Sequence, residues 1–198
     1  CLVGSEMCIR DRLNNISRLP VCTHCLEQLR PMPATDLCRI CGERVASFSF
    51  ASQANNAASA SAAPLCGLCQ RARPPFERAV AFAAYDGALR QLLHLLKYED
   101  VEPAATVLGK LLAESAQPMV MPEQIMVPVP LHRERRAQRG FNQAELIARV
   151  AAKCLGAKLE TCVLLRKRAT GSQTGLTNHQ RRANLRGVFA VEKRQRIV

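Results

Sequence analysis

Six of the ten cysteines form three Cys-x-x-Cys pairs, Cys22 with Cys25, Cys38 with Cys41 and Cys66 with Cys69, and this spacing restricts the fold more than any other feature. Two thiolates two residues apart can face one cation from a tight turn, and two such knuckles complete a tetrahedral zinc site. Disulfide frameworks rarely repeat that gap, so the pairs predict reduced cysteines, structural Zn2+ and a cytoplasmic chain. Cys38, Cys41, Cys66 and Cys69 are the first choice for a complete site. Cys22 and Cys25 form a third pair without an evident mate, since Cys8 has no cysteine three residues away. His24 lies inside that pair and is a weaker alternative ligand. Cys154 and Cys162 fall on apolar faces of a predicted helix and strand, and read as small core residues.

The pairs lie in a stretch with little apolar periodicity, residues 13–75, which predicts a module folded around metal instead of a hydrophobic core. An alanine- and serine-rich tract, residues 46–64, interrupts it and is expected to be an inert excursion. Adjacent prolines, Pro74 and Pro75, stiffen the joint to a second domain, residues 76–198. Residues 1–12 lack the pattern of a secretory leader and resemble translated sequencing-adapter sequence, so they are set apart from the fold. Apolar runs such as residues 80–84 fall far short of the roughly 18 residues that cross a bilayer. The chain carries 28 lysines and arginines against 16 acidic residues, a formal charge of +12 that favours polyanionic partners without choosing among them.

Along residues 76–198, strand and helix patterns alternate. Val80, Phe82 and Ala84 alternate up to an Asp86-Gly87 turn, and Leu89, Leu92, Leu93 and Leu96 then recur at helical spacing ahead of Lys97 and Tyr98. Pro103 opens a second helix with Val107, Leu108, Leu111 and Leu112 on one face. Residues 125–129 read as a buried strand. A helix over residues 142–155 follows, capped by Asn142, with Glu145 in capping-box position and a buried stripe of Ile147, Val150, Ala151 and Cys154. Further strands are expected at residues 159–165, 189–191 and 197–198. The alternation predicts an α/β fold with a parallel sheet.

The densest chemistry lies in VPVPLHRERRAQRGFNQAELIA, residues 127–148, which reads as a strand, a basic loop and a helix start in succession. Amides at a helix N-terminus, with Arg133, Arg135, Arg136 and Arg139, would hold phosphate or pyrophosphate; Gly140 would allow close backbone approach, and His132 could touch the same anion. The competing reading is a decorated surface loop. Residues 166–186 are polar, strongly basic and without apolar period, and predict a mobile lid or a floppy loop.

These blocks resemble the two signatures of the ComF (GntX) family, amidophosphoribosyltransferase-like competence proteins with a double zinc ribbon. Arg166, Thr170, Gln173, Leu176, Arg181, Asn184 and Phe189 fall at matching places in the second block, and Tyr85, Leu93, Lys97 and Tyr98 fit the family's opening strand and helix. The resemblance implies a type I phosphoribosyltransferase-like domain that binds phosphoribosyl pyrophosphate with Mg2+. Lys97, Arg135, Arg136, Arg139, Gly140, Asn142 and Gln143 would take part in substrate binding. Residues 166–186 would form a hood that closes over the substrate, with Arg166, Gln173 and Arg181 as candidate contacts. The family's acidic pair and Thr-Thr-Gly loop, which would hold ribose and 5′-phosphate, are expected just beyond Val198, so the sheet is incomplete and this fragment is expected to be inactive. Phosphoribosyl transfer competes with two other readings: a zinc-ribbon module that binds single-stranded DNA alongside DNA-uptake proteins, and a sensor of phosphoribosyl pyrophosphate. An aromatic content of 4% argues against the DNA reading.

Overall fold

The computed structural model describes residues 23–45, 64–121 and 123–192. Cys22, most of the alanine- and serine-rich tract, residues 1–12 and the strand expected at residues 197–198 lie outside them. In chain order the elements are α1 (Thr23–Gln28), α2 (Gly67–Arg71), α3 (Gly87–Tyr98), α4 (Ala104–Ala116), β1 (Ile125–Met126), α5 (Arg133–Arg139), α6 (Gln143–Leu155), β2 (Lys158–Leu159), β3 (Leu164–Arg166), α7 (Asn178–Leu185) and β4 (Phe189–Val191). Short 3-10 turns cover Ala34–Asp36 and Gln117–Met119.

Three amphipathic helices make the main core. Leu92 and Leu96 of α3 are fully buried, and Val107 and Leu108 of α4 join them together with Phe82 and Leu29. Burial of each such side chain contributes on the order of 1.5–3 kcal/mol. Helices α4 and α6 approach so closely at Gly109 that a Cβ there would lie 2.5 Å from Val150 Cβ and 2.8 Å from the Ile147 carbonyl oxygen. The buried side of α6 consists of Glu145, Ala148, Ala151 and Ala152. Of the predicted stripe, Ile147 and Val150 lie against Gly109 of α4 and Ala151 is fully buried, while Cys154 is exposed. Cys162 is exposed as well, so neither cysteine is a core residue.

The strands are few and short. β1 pairs with β2 in parallel, Ile125 opposite Lys158, across the α5–α6 crossover, as the alternating pattern predicts. β3 and β4 pair antiparallel, Leu164 opposite Val191. The arrangement is a mixed helix and small-sheet fold, consistent with an α/β class. The strand expected over residues 159–165 splits in two, with bends at residues 161–163. The alternating run at residues 80–84 is not a strand: the Ala79 amide donates to Ile40 O at 2.7 Å, and Phe82 O accepts from the Met32 amide at 2.9 Å. Its backbone partners belong to the cysteine-rich segment, so this run ties that segment to the helical core.

Two polar stretches expected to be loops are partly helical. The arginine-rich segment forms α5, and Gly140, at φ +73°, stops it. Within residues 166–186, α7 begins at a capping box: Thr177 Oγ1 accepts from the Gln180 amide at 3.3 Å, and the Thr177 amide donates to Gln180 Oε1 at 2.8 Å.

Candidate functional site

Two groups of like residues stand out. The first is the cysteine cluster. Knuckle residues Cys38 and Cys41 and the start of α2, Cys66 and Cys69, bring four Sγ atoms within 4.8 Å of one another. Cys38, Cys66 and Cys69 are buried and pack with Ile40, while Val45 and Leu65 border them. A tetrahedral zinc with Zn–S bonds of about 2.3 Å needs sulfurs about 3.8 Å apart, and Cys41 and Cys66 lie at 3.5 Å. The donor set fits such an ion, and these four cysteines could hold one.

Their ionisation is mutually antagonistic. Burial and then hydrogen bonding with Cys41, Cys66 and Cys38 push the Cys69 thiol up to about 12. Burial also raises Cys41. Cys38 moves the other way, to about 6, because hydrogen bonds with the backbone of Cys41, Cys66 and Ile40 and with the Cys41 side chain outweigh its burial. One sulfur thus carries charge readily and its neighbours resist, a conflict that a divalent cation relieves. Cys25 lies elsewhere, fully buried in the main core beside Phe82 and Leu92. His24 is exposed on α1 with Gln28 Nε2 3.2 Å from its Nε2.

The second group is basic and is organised by α5. Glu145, buried at the first turn of α6, binds Arg136 at 3.3 Å and Arg149 at 2.6 Å. It therefore does not close the capping box expected with Asn142. The ion pair holds Arg136 against α6 and leaves Arg135 and Arg139, four residues apart on one helical face, to point elsewhere. Arg135 Nη2 donates to Thr170 O at 3.2 Å, and Arg166 donates to the Thr170 hydroxyl. Two guanidiniums thus converge on one residue, and neither has an ion-paired carboxylate among the described residues. Burial, and then the Arg135 charge, lower the Arg166 pKa. Arg166 Nε has no hydrogen-bond partner despite being buried, nor do Gln143 Nε2 and both polar atoms of the Gln173 side chain. Buried polar atoms left this way cost on the order of 1–3 kcal/mol each, which a bound ligand can recover.

The remaining predicted residues distribute as follows. Asn142 is buried and engaged with backbone, its Oδ1 accepting from the Ala144 amide and its Nδ2 donating to Val129 O, both at 3.1 Å. It positions the α5–α6 turn. Arg139 lies over the Tyr98 ring at 5.9 Å, and Lys97 over the same ring at 5.2 Å. Gly140 is open on its Cβ side, and Arg133 and Arg181 are exposed. His132 is buried, with Nδ1 3.6 Å from Glu134 Oε2, beyond hydrogen-bond length. Sequence reasoning missed Glu145 as an organiser of the arginines and Thr170 as their common acceptor. The Glu145/Arg149 spacing of four was a readable signal for the first, and nothing local signals the second.

No family model matches the chain. No solved structure matches it. Among curated proteins it is 33% identical over 133 residues to the DNA utilization protein YhgH of Escherichia coli O157:H7, covering 64% of this chain and 58% of that relative. It is 34% identical over the same length to the YhgH of Salmonella typhi, with the same coverage. Competence protein F of Haemophilus influenzae is 27% identical over 191 residues, 93% of this chain and 76% of that protein. The chain thus spans under three-fifths of the YhgH relatives it matches. The chain is thus similar to proteins named for DNA utilization and for competence. Among the described residues no helix is long and apolar enough to cross a membrane.

Proposed function

We propose that this chain supplies the pyrophosphate-binding half of a phosphoribosyl pyrophosphate site, in a cytoplasmic, zinc-containing protein of DNA uptake or nucleotide metabolism. The observation that carries this reading is the convergence of Arg135 and Arg166 on Thr170, with no carboxylate among the described residues paired to either. Two like charges held together cost free energy that a bound dianion offsets, and guanidiniums match phosphate oxygens in a bidentate way. Gln143 and Gln173, whose buried polar atoms lack protein partners, complete the ligand shell. Arg139 at the end of α5 and Lys97 at the end of α3 extend the positive field, and Arg181 on α7 faces solvent, from which it can reach a bound anion when residues 166–186 close.

Mg2+ would arrive with phosphoribosyl pyrophosphate and neutralise part of its charge. In the transfer reaction the C1′–oxygen bond breaks, pyrophosphate leaves with the electron pair, and a nitrogen nucleophile bonds C1′ and releases a proton. The arginines stabilise the charge that develops on the leaving group, and the hood excludes water. The chain spans 58% of the length of its YhgH relatives, and turnover is assigned to the whole protein. We place the metal ligands at Cys38, Cys41, Cys66 and Cys69, with Cys22 and Cys25 as a further pair, and the domain boundary near residue 76.

As a second role we infer contact with single-stranded DNA and DNA-uptake proteins, a reading that similarity to proteins named for DNA utilization and competence supports. Calorimetric titration of the full-length protein with phosphoribosyl pyrophosphate and Mg2+ tests the main reading. Saturable heat that disappears in R135A/R166A is expected. Absence of heat in the unsubstituted protein would refute it.

A further inference from the structure

The chain has only two tyrosines and no tryptophan, and both tyrosines stand in the open on one surface. Tyr85 and Tyr98 are each 60% exposed. Between them sits His94: the Tyr85 and His94 ring centroids are 6.4 Å apart with planes at 30°, and those of His94 and Tyr98 are 5.2 Å apart at 53°. Three rings therefore form a continuous row along the outer side of α3. Two cations lie over the last ring, Lys97 at 5.2 Å and Arg139 at 5.9 Å from the Tyr98 ring centroid. Helical packing does not call for this arrangement, because α3 fills the core with Leu92, Leu95 and Leu96 from its other face.

We propose that the Tyr85–His94–Tyr98 row is a base-stacking platform for single-stranded nucleic acid, with Lys97 and Arg139 contacting the adjoining phosphates. Open, sequential rings suit a polymer, since the exposed sides of Tyr85 and Tyr98 can each take a base while the two cations at Tyr98 meet the backbone. A free nucleotide would need enclosing walls, and these rings stand open to solvent. The formal charge of +12 provides the complementary field. Arg139 lies on the same face of α5 as Arg135, so a bound strand would run past the proposed pyrophosphate site. This inference rests on the DNA-contact reading and shares Lys97 and Arg139 with the proposed pyrophosphate site, whereas Tyr85, His94 and Tyr98 belong to the platform alone.

The test uses the full chain loaded with zinc and a fluorescein-labelled oligodeoxythymidine, followed by anisotropy across a salt series. Y85A/Y98A is expected to weaken binding by on the order of 10-fold or more while leaving the salt dependence unchanged, and Y85F/Y98F to restore affinity. K97A/R139A is expected to lower affinity and to flatten the salt dependence. Circular dichroism and zinc content confirm folding, which substitution of exposed rings should spare. Equal affinity of Y85A/Y98A and unsubstituted protein would overturn the platform while leaving DNA contact standing. No binding by the unsubstituted protein would overturn both. Thymidine monophosphate competing as well as the oligonucleotide, per nucleotide, would assign the rings to a mononucleotide site and overturn the proposal, as would duplex binding of equal strength.

Discussion

The cysteine cluster and the arginine pair present the same electrostatic problem with opposite sign. Four sulfurs within 4.8 Å oppose one another's ionisation, with Cys69 driven up to about 12 while Cys38 falls to about 6. Arg135 and Arg166 meet at Thr170, and the Arg166 pKa is lowered. Each region gathers like groups at a cost that a counter-ion removes, a cation in one and an anion in the other. They differ in support. Little besides Ile40, Val45 and Leu65 packs around the sulfurs, so their geometry depends on the ion. Arg135 stands on α5, which Glu145 ties to α6 through Arg136, and Arg166 ends β3, paired with Phe189 of β4, so their geometry precedes the ligand.

That difference predicts the largest effect at the sulfurs. C38S or C66S should abolish zinc retention, removing an interaction that contributes on the order of 10–16 kcal/mol in small thiolate domains. Limited proteolysis should then cut residues 30–70 first while α3–α6 stay protected. Uniform loss of protection would mean the two regions fold as one. Zinc affinity should also fall as pH is lowered, because protons compete with the ion for the sulfurs. Zinc content measured across a pH series checks the sign; tighter retention in acid would contradict it.

On the arginine side, R166A should weaken pyrophosphate binding by roughly 10- to 100-fold, in line with loss of a charge-assisted hydrogen bond, with zinc content unaltered. Calorimetry and metal analysis on the same sample separate the two sites. G109A should destabilise the helical frame by about 1–3 kcal/mol through overpacking against Val150, read as an earlier denaturant midpoint. The smallest effect is expected from T177A, which removes the α7 capping box at a cost of about 1 kcal/mol and should increase amide exchange in Asn178–Leu185 alone.

Legibility in the sequence followed the range of the signal. The Cys38/Cys41 and Cys66/Cys69 knuckles were readable because spacing alone sets ligand geometry. Helices α3, α4 and α6 were readable from leucine periodicity, Pro103 and the Asn142 cap. Helix α5 was missed because its residues present no apolar period, and α7 although Thr177 and Gln180 spell its start. Residues 80–84 showed strand periodicity, but their backbone partners, Ile40 and Met32, come from the cysteine-rich segment, which no local pattern encodes. Composition gives no arrangement: a content of 4% counts rings and is blind to both exposed tyrosines contacting His94. Arg135 and Arg166 were each named as binding residues, yet their meeting at Thr170 spans 31 positions and exists only in the fold.

The convergence of those two arginines is the central claim, and titration of inorganic pyrophosphate into the zinc-loaded chain probes it most directly. One-to-one binding that is lost in R135A/R166A and retained in R133A, whose side chain is exposed and takes no part in the pair, is the predicted result. Equal affinity in all three proteins would contradict it.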